Sequence, residues 1–109
     1  MFRYSTSEFT YTLPEDMQYQ IIRVSYAQKG TLILTKQYDP NGTTSSGITV
    51  DENTVNVFLT QEETGRFSPG YAKTQVKVYT DAQEAPYSEE YRFIVKDVED
   101  PTVLPEVTP

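Results

Sequence analysis

Four couples of adjacent carboxylates, Glu15-Asp16, Asp51-Glu52, Glu62-Glu63 and Glu89-Glu90, come nearest to chemistry by type and spacing. Two carboxyl groups flanking one bond are all that glycoside hydrolysis requires. Neighbours on a β-strand point to opposite faces, however, and a small β domain is expected to offer little concave volume in which to converge them. Asp39, Asn41, Asp51 and Glu52 could bring oxygen ligands to a cation, but their spacing matches no calcium loop with a full ligand set. Side-chain turns at Asp39 and Asn41 account for those residues instead. Asn41-Gly42-Thr43 fits the N-glycosylation pattern and reads as an exposed turn. Histidine and cysteine are both absent, which removes the usual general base, the thiolate nucleophile and the commonest metal ligands. None of the five glycines falls in a phosphate-cradling loop. The expectation is a non-enzymatic chain with no catalytic residue, no metal and no cofactor.

At 109 residues the chain has the length of one domain with one core. Sixteen acidic residues against nine Lys plus Arg give a net charge of −7, which disfavours nucleic acid and anionic membranes as partners. Along the sequence the nine cations are spread out with no basic run, and most read as solvated. No apolar stretch approaches the ~18 residues that span a bilayer, and the first ten lack the pattern of a secretory signal, so a soluble chain, not exported by that route, is expected.

What must position these side chains is a set of short strands. Apolar and polar residues alternate with a period of two between turn residues. Phe9, Tyr11 and Leu13 share one phase before Pro14. Ile22, Val24 and Tyr26 share another, and Lys29-Gly30 turns that strand into the segment 31 to 38, forming the clearest hairpin. The polar stretch 39 to 47 is a loop. A short strand 48 to 50, a turn at 51 to 53, and a strand with Val55, Val57 and Leu59 inward follow. Thr60 and Glu63 fit a capping box, which predicts one helical turn near 61 to 66. Ala72, Thr74, Val76 and Val78 point inward from the next strand, and Tyr91, Phe93 and Val95 from the last. This inventory predicts an all-β, immunoglobulin-like antiparallel sandwich of about seven strands over residues 9 to 97, with a small open barrel as the runner-up, an arm at 1 to 8 and an extended acidic, proline-containing tail at 98 to 109.

Nine Tyr and five Phe are available for core or interface. Tyr11, Tyr26, Tyr91 and Phe93 fall on inward phases and are assigned to packing. For Tyr71, Tyr79 and Tyr87 a partner surface and ordinary half-exposure both remain open. The tail contributes Pro101, Val103, Leu104 and Pro105 as further candidate interface residues. The expected docking surface is thus the strand edges and the two polar termini, 1 to 7 and 97 to 109, which a lone domain would have no reason to order.

The segments YTLPEDM (11 to 17), ILTKQYD (33 to 39), NVFLTQEETGRFSPG (56 to 70) and QVKVYTDAQEAPYSEEYRFIVKD (75 to 97) together resemble small phage and prophage proteins related to the N-terminal, immunoglobulin-like domain of the phage baseplate upper protein. The resemblance spans about residues 9 to 98 and rests chiefly on Leu59-Thr60-Gln61-Glu62-Glu63-Thr64 with Phe67 and Gly70. It implies a virion structural protein, made in the bacterial cytoplasm, that docks onto other phage structural proteins and forms a homo-oligomer within an assembly. The chain departs from that family by stopping after a short tail where the baseplate protein continues into a helical linker and a trimerising region. A capsid decoration or connector subunit, and a module binding a host-surface glycan or receptor, are the alternatives.

Overall fold

The alternating pattern becomes seven strands and one helical turn in the computed structural model, which describes residues 1–14, 21–79 and 87–97. In chain order these are β1 (Ser7–Thr12), β2 (Ile21–Gln28), β3 (Thr31–Tyr38), β4 (Ile48–Asp51), β5 (Thr54–Leu59), α1 (Gln61–Gly65), β6 (Gly70–Tyr79) and β7 (Tyr87–Val95). They form two antiparallel sheets, a three-stranded one in the order β1-β5-β4 and a four-stranded one in the order β3-β2-β6-β7. The architecture is the immunoglobulin-like β-sandwich expected from the strand inventory, with α1 where the chain crosses from one sheet to the other. The tail, the carboxylate couple Glu15-Asp16 and the loop 81 to 86 lie outside the described residues.

Local chemistry sets the turns. Lys29 and Gly30 both adopt positive φ, 51° and 77°, as a two-residue hairpin loop of the primed type requires, and Gln28 pairs with Thr31 across it. A bulge follows, with Tyr26 opposite Leu34 but Ala27 opposite Leu32, and Leu32 ends up 60% exposed. At α1, the Thr60 side chain accepts from the Glu63 backbone N–H and the Glu63 carboxylate accepts from the Thr60 N–H, so the capping box is complete. Thr64 is fully buried and its hydroxyl donates to the Ser5 carbonyl at 2.7 Å.

The residues read as an N-terminal arm have an anchorage within their own chain. Phe2 forms a parallel bridge to Lys96, the Arg3 N–H donates to the Lys96 carbonyl at 2.9 Å, and the Arg3 guanidinium pairs with Asp97 at 3.0 Å. Tyr4, at φ 57°, lays its ring against Gly65, where any side chain would collide with it. The premise that these residues need a neighbouring subunit to order them is corrected: their hydrogen bonds go to Ile94 of β7, to Lys96 and Asp97 just beyond it, and to Thr64 and Gly65 of α1, and β1 starts at Ser7.

The core lies between the sheets. Ile22, Val24, Tyr26, Val55, Val57, Val76 and Val78 are completely buried, each worth about 1.5–3 kcal/mol of transfer free energy where the side chain is Val- or Ile-sized. Phe9, Phe67 and Phe93 surround Tyr26, Phe9 edge-on at 5.2 Å and Phe67 and Phe93 at 6.2 Å. Antibody domains tie their sheets at this level by a disulfide packed on Trp; this chain has neither residue. Here Tyr11 of the smaller sheet shares hydrogen bonds with Tyr26 (3.0 Å) and Thr74 (2.6 Å) of the larger one, so three buried hydroxyls satisfy one another. Burial raises the phenol pKa of Tyr11 against the opposing effect of its hydrogen bonds to Thr74 and Tyr26, and burial likewise raises that of Tyr26, with the neighbouring Tyr11 adding to it.

Candidate functional site

The outer face of the four-stranded sheet is built by the polar phase of β2, β6 and β7. Its register sets Arg23 of β2 opposite Lys77 of β6, and Lys73 of β6 opposite Arg92 of β7. Like charges directly opposed across strands destabilise a sheet, yet four of the nine cations of this acidic chain meet on this surface. The sequence reading of evenly spread cations is corrected here, because register gathers what sequence separates. The charges are partly answered locally: Lys73 pairs with Glu90 at 3.3 Å, the Arg92 guanidinium lies 5.0 Å from the Tyr71 ring centroid, and the Lys77 ammonium lies 5.6 Å from that of Tyr79. Tyr71 is 63% exposed and Ile94, opposite it, 45%.

Of the candidate interface residues, Tyr71 and Tyr79 therefore share this face, Tyr79 half-buried. Tyr87 opens β7 opposite Val78. Pro101, Val103, Leu104 and Pro105 lie outside the described residues. Tyr91, expected to pack in the core or on the sheet, is 40% exposed. It holds the inward phase, opposite Thr74, but β7 is an edge strand and Tyr91 faces the open flank of the sandwich, with its ring 6.0 Å from that of Tyr11.

That flank holds a groove of about 410 Å³ between β1 and β7, walled by Phe9, Tyr11, Tyr91 and Phe93 with Thr10, Thr12, Thr74 and Arg92 at its sides. The expectation of little concave volume is thereby corrected: β1 ends its sheet, so the two sheets part there. Among the described residues the lining offers aromatic rings, hydroxyls and one guanidinium, and no carboxylate.

The opposite flank contains the one inward-facing cation among the described residues that is buried. Lys36, two residues beyond buried Leu34 on β3, donates to Glu63 at 2.7 Å and to the Ser46 carbonyl at 2.8 Å. Lys36 is thus an exception to the expectation that most of the cations are solvated. For Glu63, burial pushes the carboxyl pKa up, but the Lys36 ammonium and the Thr60 N–H outweigh it and hold the group below its ordinary value. In the loop 39 to 47 the Asp39 carboxylate accepts from the Asn41 N–H at 3.0 Å, the side-chain turn expected from the sequence.

No protein-family model matches the chain, and no curated protein sequence matches it. Among solved structures it is similar to a chain in the crystal structure of ICOS in complex with ICOS-L and an anti ICOS-L VNAR domain, at 15% identity over 82% of this chain and 92% of that one, with a TM-score of 0.45. It is similar to the extracellular domain of the voltage-gated sodium channel beta4 subunit at 11% identity, covering 89% of this chain and 86% of that one, TM-score 0.45. A putative glycoside hydrolase from Bacteroides vulgatus is also similar over 89% of this chain but only 16% of its own length, at 11% identity and TM-score 0.45.

Proposed function

We propose that this chain is a non-enzymatic docking module of a bacteriophage virion, a tail or baseplate attachment or connector subunit, which receives an acidic surface of a neighbouring protein on the outer face of its four-stranded sheet. The observation that carries the docking reading is the pair of like-charge oppositions, Arg23 with Lys77 and Lys73 with Arg92, beside exposed Tyr71 and Ile94. A sheet surface serving stability alone gains nothing from such pairs, whereas an acidic partner would neutralise them and steer its own approach. Tyr and Arg are also the side chains that anchor protein interfaces. The virion assignment is supported by the resemblance of the segment 56 to 70.

Mass spectrometry of purified particles of the phage or prophage carrying the gene should find the chain in stoichiometric copies. Its absence would reject the virion assignment. A Lys73→Glu/Arg92→Glu chain should fold normally by circular dichroism yet fail to incorporate; normal incorporation would reject the face.

A further inference from the structure

A second surface is defined by backbone and not by charge. β1 ends the smaller sheet and pairs only with β5 among the described residues. The Leu13 N–H donates to the Asn53 carbonyl at 2.7 Å, so the odd positions of β1 face β5. By antiparallel alternation the N–H and C=O groups of Glu8, Thr10 and Thr12 then point away from the sheet. The strand carries neither Pro nor Lys nor a bulge, and of the devices that usually blunt such an edge it has a single charge, Glu8.

We propose that this edge pairs with the same edge of a second copy, β1 against β1, antiparallel about a two-fold axis through Thr10. The occupant follows from self-complementarity. Only the register that sets Thr10 opposite Thr10 satisfies all three outward positions, because it also sets Glu8 opposite Thr12. A register centred on Glu8 would oppose two carboxylates, and the intermediate registers pair two positions instead of three. The chosen register faces Thr with Thr on the outer side and Phe9 with Tyr11 on the inner side, both favourable cross-strand pairs. It also brings together the two aromatic grooves that flank the β1 edges. An interface in which the same patch meets itself closes as a dimer instead of propagating. Each copy carries −7, so higher salt strengthens the association by screening the repulsion.

Sedimentation of the purified chain over a range of concentrations tests this, together with Thr10→Pro and Thr10→Val. Proline removes the outward N–H without touching the ladder to β5, and valine keeps it. The expected result is a reversible dimer in wild type and Thr10→Val, weakened about tenfold or more in Thr10→Pro. Because the chain has no cysteine, single thiols report the register independently. Thr10→Cys should oxidise readily to a dimer, since opposed residues place their Cα atoms about 5.5 Å apart, within disulfide reach. Glu8→Cys alone should not, its copies lying roughly 14 Å apart, but mixed with Thr12→Cys it should. A wild-type chain that stays monomeric, as it would if the edge served a strand from another protein, overturns the proposal. So does a dimer indifferent to Thr10→Pro, or equal self-cross-linking of Thr10→Cys and Glu8→Cys.

Discussion

Between β3 and the β5–α1 corner the gap at the side of the sandwich is spanned by Lys36, whose ammonium meets Glu63 and the Ser46 carbonyl. Between β1 and β7 the corresponding gap is lined with aromatic rings and left as a groove beside a strand edge that is unpaired among the described residues. On the first flank the hydrogen-bonding capacity is used inside the chain, down to the capping box that fixes Glu63 in place. On the second, the outward groups of Glu8, Thr10 and Thr12 remain directed at whatever lies beside them. One flank serves the fold, and the other is where we propose that assembly takes place.

The largest expected effect breaks the first flank. Lys36→Ala should destabilise the chain by about 1–3 kcal/mol in urea unfolding, since it leaves the partly buried Glu63 carboxylate without its cation, whereas Lys36→Met with Glu63→Gln should recover most of that loss. A single-variant cost under about 1 kcal/mol would show that the pair is solvated and the contrast between flanks false.

Acid should expose the same asymmetry. Glu63 has a lowered carboxyl pKa in the folded chain, so its contribution is present above the ordinary carboxylate pKa and is lost as pH falls through the folded value. Unfolding of wild type and Glu63→Gln at neutral and at acid pH should therefore differ most at neutral pH and converge in acid. A difference that does not change with pH would remove the ionised pair from the account.

The smallest effect concerns the outer face. Arg23→Glu replaces a like-charge opposition to Lys77 by an attractive one and should stabilise the sheet by about 0.2–1 kcal/mol, less at high salt. Destabilisation instead would mean that the four cations are not in conflict and that the face has no need of an acidic partner.

Much of the fold was legible because it depends on neighbours in sequence. Period-two alternation placed Ile22, Val24 and Tyr26 inward, Lys29-Gly30 marked the hairpin, and the Thr60–Glu63 spacing marked the capped turn. What escaped depends on which strand lies beside which. The cations at 23, 73, 77 and 92 become neighbours only through register. Tyr91 has an inward phase, but its exposure follows from β7 being an edge. Lys36 left a signal that could have been read: it follows Leu34 by two residues and shares its buried phase.

Amide hydrogen exchange at low and high protein concentration tests the contrast between the flanks most directly. The account predicts that the amides of Thr10 and Thr12 exchange rapidly in dilute solution and become protected on concentration, while those of Leu13 and Phe58, already donated to Asn53 and Gly47, are protected throughout. Protection of Thr10 and Thr12 that does not depend on concentration, or its absence at every concentration, would contradict it.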